Sequence, residues 1–451
     1  MDYILQEILD ATGGGCSNQG GRVCGVSKDT RTIEADNLYI ALKGEQFDGH
    51  CYVAQALQKG ASFALVSSLQ DDAPHKQQIL VNDTLKALQD LAKWRRQQFA
   101  KVVGITGSVG KTSVKEMTAH CTASQANIYA TQGNYNNHIG LPLTIVNAPK
   151  DTEILVLEMG MNHAGEIALL SEIAAPDVAL ITTIDAVHLE FFDSVEDIAY
   201  AKAEIVKGMQ KDATIILPKD SPYYKILAMQ AQHQQIVTFG TSEDAQYRLL
   251  DCNVTIDGTT ASIMIAKQHY HIALKAAGRH HAVNALGVLA LCSALGLDRN
   301  QSIASLADFK EPEGRGVIDT IPWKKGHISI IDETYNASPV AMKAAFSRAD
   351  ALSNSRRIIA VLGDMLELGE ASYALHAKLK NDLDAYHIKD IYACGIYMKA
   401  LKDVAPHIHY YESQTELIEE LLQAVRVDDI ILCKGSRGSK MEQVIAQLKH
   451  V

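Results

Sequence analysis

The chain has 451 residues, 47% hydrophobic and 21% charged, a globular composition too long for one ordinary core, so two to four domains are expected. Its net charge of −11, from 42 basic and 53 acidic residues, argues against a surface that coats DNA or RNA, and an anionic substrate must be met by local basic groups. No apolar run is long enough to span a bilayer and the N-terminus lacks the pattern of a secretory signal, while eight cysteines stand singly with no CxxC pair; a cytoplasmic protein with reduced thiols and no membrane insertion is expected.

Residues 1–82 mix short apolar runs ("NLYIAL", "FALVS") with a helical pattern around "HCYVAQALQKGA", a small α/β unit whose "GGGCSNQGG" reads as a loop. From 83 to 311, the β-branched runs "KVVGIT", "EILVLEM" and "VALITTI" each lead into a polar loop and a helical pattern, the signature of parallel βαβ units. Alternation in "TASIMIA" and "HYHIALK" predicts an inserted hairpin, and "HHAVNALGVLALCSALG" a strongly apolar helix. After the hinge-like "EPEGRG", residues 312–451 carry four more strands, "ISIID", "RIIAVLG", "DIYACG" and "DIILCKG", each followed by a helix, which predicts a second, Rossmann-like parallel domain.

The stretch "GITGSVGKTS" at 104–113 lies between a strand and a helix, the setting of a phosphate loop, although it is two residues shorter than the common G-x-x-x-x-G-K-[ST] form. Gly107, Ser108, Gly110 and Ser113 shape the cradle, helix-start N–H groups face an anion, Lys111 adds a full charge and the Thr112 hydroxyl suits a magnesium ion. Glu158 and His188 each sit just past a strand of the same sheet, where ligands of open α/β sheets bind; either is a metal ligand or a structural strand end. Asn162 and His163 in "GMNHAGEI" favour a site there.

The helical pattern "SVEDIAYAKAEIVKGM" opens with an S-x-x-D box at Ser194 and Asp197. Its apolar stripe, Val195, Ile198, Ile205 and Met209, is interrupted by Lys202, so this lysine faces the buried side. It either snorkels or is held neutral and nucleophilic, able to take up CO2 as a carbamate that offers metal-binding oxygens. In "GRHHAVNALG", His280 and Asn284 share a helix face with Arg279 at its start. Arg315, between glycines at the hinge, suits a phosphate reached as domains close. Asp332 is a ribose-hydroxyl acceptor or a cap, although Ser338 before Pro339 is the better cap, and "KGSRGSKME" clusters Lys434, Ser436 and Arg437 at a helix start.

In order and spacing, "TGSVGKTS", "EMGMNHAGEI", "DAVHLE", "AKAEI", "GRHHAVNALG", the hinge "GR", "DETYNASP" and "KGSRGSKME" resemble the Mur ligases across essentially the whole chain. The family's phosphate loop has the short GxxGKT form. The resemblance implies three domains: a UDP-sugar-binding unit (1–82), a central P-loop ATP-binding unit (83–311) and a Rossmann-like C-terminal unit (312–451). It also implies an ATP-dependent amide ligase working through an acyl phosphate, with two magnesium ions. "DTR" at 29–31, "ALKGEQFDGH" at 41–50, "GNYNNHIGLP" at 133–142 and "LGDMLELG" at 362–369 narrow the implied reaction to the addition of D-Ala-D-Ala to a UDP-MurNAc-tripeptide in peptidoglycan synthesis, by a monomer.

By the same resemblance, Asp29, Arg31, Lys43, Gly44, Asn136 and Asn137 hold the UDP-sugar peptide, and Asn336, Lys434 and Arg437 complete the substrate site. Lys111, Thr112, Asn284, Arg315 and Asp332 hold ATP; Thr112, Glu158, His188 and a carbamylated Lys202 serve the metal; and Lys111, Lys202, His188 and Arg315 are the catalytic set. Two positions depart from the family pattern: His281 stands where H-N-x-x-N has its first asparagine, and Ser338 replaces a frequent asparagine after "YNA".

Overall fold

Three parallel or mainly parallel sheets organise the chain in a computed structural model that describes residues 2–187, 189–312 and 314–450. The apolar runs read from the sequence become strands because each is buried on both faces: Lys101–Thr106, Ile154–Glu158 and Val178–Ile181 lie side by side in a nine-stranded sheet. Parallel pairing puts the strand ends together, with Ile105 beside Glu158 and Thr106 beside Ile181. The predicted hairpin forms from Gly258–Ile265 and Gln268–Leu274, and with Tyr247–Thr255 it extends this sheet as an antiparallel flank.

The N-terminal four-stranded sheet (Val26–Ser27, Leu38–Ile40, Phe63–Val66, Gln78–Leu80) is parallel throughout. It does not keep a private core on both sides. One face packs on its own helix through Tyr39, Val53 and Ala56, while Ile8, Leu38, Leu65 and Leu88 join a cluster continuous with Leu141, Leu155 and Ile181 of the central sheet. Polar bonds fix this docking. The Tyr3 hydroxyl donates to the Val146 carbonyl at 2.6 Å, and the Asn147 amide both accepts from Val26 N and donates to Val26 O, each at 2.9 Å.

The C-terminal sheet has the order Val317–Trp323, Gly326–Glu333, Ile430–Lys434, Ile358–Gly363, Asp390–Cys394, His409–Tyr411, with apolar clusters on both faces. All four strands expected there form. The edge strands Val317–Trp323 and His409–Tyr411 went unread, and the first runs antiparallel, so the sheet is mixed at that edge. Val317–Trp323 is buried only at Trp323, its other positions being partly or fully exposed, and it contains Pro322, which weakens its signal, as edge strands do.

Asn147 satisfies two backbone groups of a neighbouring strand, so its loss leaves both unpaired. Asn147→Ala is expected to lower stability by about 1–3 kcal/mol in denaturant titrations, whereas Arg31→Ala, breaking a solvent-exposed pair with Asp29, is expected to stay within about 0.5 kcal/mol.

Candidate active site

The phosphate loop is built by glycines that no other residue replaces. Gly107 has φ +146°, and a Cβ there would lie 1.9 Å from the Thr182 hydroxyl; Gly110, at φ +89°, starts the helix Lys111–Thr122. The residues after the neighbouring strand brace the loop. Ser108 N donates to Thr183 O at 2.8 Å, Val109 N to the Thr183 hydroxyl at 3.1 Å, and the Thr182 hydroxyl to Val109 O at 2.6 Å. Lys111 folds back, its ammonium 2.8 Å from Gly107 O. The packed surroundings push its pKa down, Glu158 opposes this, and Arg315 adds to the depression.

Glu158 is buried at the end of its strand and both of its oxygens are directed. Thr112 Oγ1 donates to Oε2 and Asn136 Nδ2 to Oε1, each at 2.8 Å. Its own N–H bonds the Thr131 hydroxyl at 3.0 Å, and Thr131 O accepts from the ammonium of Lys115, a buried lysine that sequence reasoning missed. Among the described residues no three His, Cys, Asp or Glu side chains gather as a metal cluster. One carboxylate and one hydroxyl, beside a phosphate cradle, are nevertheless the sparse oxygen set that suits a magnesium ion keeping several waters and substrate oxygens.

Lys202 is 1% exposed, and no hydrogen bond to its ammonium occurs among the described residues. Burial, reinforced by the charge of Lys111, drives its pKa well below the usual lysine value. The helix ends at Ala203 and continues as a tighter 3-10 turn over Glu204–Gly208, so Ile205 and Met209 do not extend the same regular stripe; Lys202 is buried all the same. Ser194 caps the helix, accepting from Asp197 N at 3.1 Å. His188 lies outside the described residues.

Across a cavity of about 570 Å³ the phosphate loop faces the C-terminal sheet. Lys111, Thr112, Asn136, Asn137, Glu158, Asn284, Arg315, Asn336, Lys434 and Arg437 line it, as do Ser108, Gly110, Ser113, Asn162, His280, His281 and Ser338, all singled out in the sequence. Tyr335 and Glu333 are among the lining residues that were missed. Tyr335 carries Arg315 on its ring at 3.9 Å and Arg437 at 5.3 Å, and Glu333 binds Lys434 at 3.2 Å and Arg348 at 3.2 Å. Burial works against the Glu333 carboxylate, but these two cations outweigh it and hold its pKa below the usual range. His280 is pushed well below the usual histidine value by burial and by the charges of His281, Arg348 and Lys434. Such contacts join residues far apart in the chain, and no local pattern announces them.

Other expected residues lie elsewhere. Asp332 is not on the cavity wall; its Oδ1 accepts from the Thr334 hydroxyl at 2.7 Å and from Thr334 N at 3.1 Å, while Ser338 caps the helix Pro339–Ser353. Asp29, Arg31, Lys43 and Gly44 sit in the N-terminal unit, away from this cavity; Asp29 and Arg31 pair with each other, and Lys43 approaches Asp48.

A phosphate loop in one parallel sheet, facing clustered cations of a second sheet across a shared cavity, defines a P-loop protein with an opposed Rossmann-like unit. Three family models match along the chain: "Mur ligase family, catalytic domain" over 22–96, "Mur ligase middle domain" over 105–292 and "Mur ligase, glutamate ligase domain" over 320–437. The chain is 37% identical over 432 residues to the UDP-N-acetylmuramoyl-tripeptide--D-alanyl-D-alanine ligase of Bacillus subtilis, covering 94% of this chain and 93% of that one. With the enzyme of the same name from Escherichia coli it shares 33% over 455 residues, 100% and 99% of the two chains. MurF from Acinetobacter baumannii superimposes with a TM-score of 0.92 at 29% identity, over 100% of this chain and 99% of that one. MurF from Thermotoga maritima in complex with ADP gives 0.85 at 29% identity, over 94% and 97%. The chain belongs to the Mur ligase family.

Gly107→Ala is expected to abolish nucleotide binding in calorimetry, because φ and the Thr182 contact both forbid a side chain. Gly133→Ala, also at positive φ but with nothing within 4 Å of the added carbon, is expected to keep binding and cost about 1 kcal/mol of stability.

Proposed function

We propose that this chain joins D-Ala-D-Ala to a UDP-MurNAc-tripeptide at the expense of ATP, giving the pentapeptide precursor of peptidoglycan, as a cytoplasmic monomer. The observation that carries the reading is the single cavity in which the phosphate loop meets Arg315, Lys434 and Arg437 from the opposite sheet. The division at 82/83 and 311/312 into sugar-binding, ATP-binding and C-terminal units is part of the same proposal.

A carboxylate is a poor electrophile, so the tripeptide's terminal carboxylate attacks the γ-phosphorus of ATP, the bond to the ADP oxygen breaks, and an acyl phosphate forms. Charge spreads over the transferred group, and Lys111 and Arg315 counter it. The dipeptide's amine then attacks the acyl carbon, a tetrahedral intermediate collapses, and inorganic phosphate leaves. Closing the cavity aligns amine with acyl phosphate and excludes water that would hydrolyse it.

Thr112 and Glu158 would hold magnesium, which supplies neutralisation of phosphate charge when bound. Lys202 is buried and its pKa is held well below the usual lysine value, which favours the unprotonated amine that reacts with CO2, and its carbamate would join this set; His188 joins it on sequence grounds. Asn284 and the loop residues Gly107, Ser108, Gly110 and Ser113 would hold the nucleotide. Asp29, Arg31, Lys43 and Gly44, with Asn136 and Asn137, would hold the UDP-sugar peptide. The dipeptide falls to Asn336, Lys434 and Arg437, where a guanidinium stacked on Tyr335 suits its terminal carboxylate.

Phosphate release from ATP and magnesium with UDP-MurNAc-tripeptide is expected to require D-Ala-D-Ala, with a pentapeptide product by mass spectrometry. Release indifferent to the dipeptide would leave a nucleotide-hydrolysing switch, or a ligase for another amine. Lys202→Ala is expected to lose ligation while keeping its fold by circular dichroism, and a short-chain carboxylic acid should restore turnover; full activity without it would exclude the carbamate.

A further inference from the structure

His281 and Glu311 meet at the hinge, and neither has a place in the reaction described above. Their side chains are 1% and 2% exposed, with His281 Nδ1 2.9 Å from Glu311 Oε1. The contact is out of line for a hydrogen bond: both ring nitrogens of His281 and Oε1 of Glu311 are buried without a hydrogen-bond partner among the described residues. The other oxygen, Oε2, accepts from the Ser113 hydroxyl at 3.4 Å. Glu311 therefore touches the phosphate-loop helix on one side and the start of the helix Arg279–Ala294 on the other. Four residues on, Arg315 lies over Tyr335 of the C-terminal unit.

Groups this buried are normally bonded, and leaving a charged one unmatched is costly. Here the partners are within reach and only misaligned, so a small reorientation of the two side chains would make the bond. Four residues of chain reach no more than about 14 Å, so wherever Glu311 is held, the guanidinium of Arg315 is restricted relative to the phosphate loop.

We propose that Glu311 and His281 are positioning residues: they form a hinge clasp that sets Arg315 against the phosphate loop. The inference rests on the ligase reading for the role of Arg315. It assigns the pair a positioning role, although His281 also lines the cavity.

The test is a set of kinetic cycles on the full chain. Glu311→Ala and His281→Ala are each expected to lower kcat about tenfold, with the KM for the dipeptide within about twofold. The double variant should fall no further than the worse single one, and Glu311→Gln, which keeps an oxygen acceptor, should recover most of the loss. On an Arg315→Ala background, Glu311→Ala should cost nothing more, a result that general loosening of the fold does not give. Additive losses on that background, or wild-type kcat in the single variants, would overturn the clasp while leaving the ligase reading intact.

Should the wild-type chain itself show no dipeptide-dependent turnover, the ligase reading fails separately. The clasp is then decided by amide hydrogen exchange with ADP bound: faster exchange at residues 314–316 in Glu311→Ala supports it, and unchanged exchange overturns it.

Discussion

Cations gathered on the walls of one cavity set the main electrostatic demand on this molecule. A chain of net charge −11 brings Lys111, Arg315, Lys434 and Arg437 to the walls of one cavity, with Lys202 buried close enough for the charge of Lys111 to depress its pKa. Arg315 in turn depresses Lys111. Lys111 and Lys202 would be easier to keep charged without these neighbours, so the framework has to impose their approach. An anion entering the cavity relieves these repulsions.

The framework meets that demand with few counter-charges. Glu158 offsets Lys111 while its two oxygens are aimed by Thr112 and Asn136, and Glu333 holds Lys434 and Arg348 on the other wall. Arg315 and Arg437 are held by an aromatic ring, which attracts a guanidinium without neutralising it. Their charge stays available to a ligand. A carboxylate in place of Tyr335 would occupy the same donors that a phosphate or peptide carboxylate needs.

Much of this was legible in the sequence because it is local. Strand, glycine loop, Lys111-Thr112 and helix follow one another within a short span, and the central strands announce themselves by burial on both faces. Lys202 was readable as a charge on an apolar stripe, even though the helix that suggested the stripe stops at Ala203. What stayed hidden depends on long-range geometry. Lys115 reaches Thr131 beneath Glu158, Glu333 and Tyr335 meet partners from distant segments, and Glu311 looks like an ordinary hinge acid until His281 is seen beside it. Asp332 shows the converse: a strand-end carboxylate has a choice of partners, and Thr334, two residues on, takes it.

The N-terminal unit and the central sheet share one apolar cluster and are pinned by Tyr3 and Asn147. Two surfaces so joined work as a calliper with a set jaw. A ligand that must touch both the region of Asp29 to Gly44 and the phosphate loop has to match a span fixed before it arrives. Selection by ligand length is thereby written into a packing interface, at some distance from any group that performs chemistry.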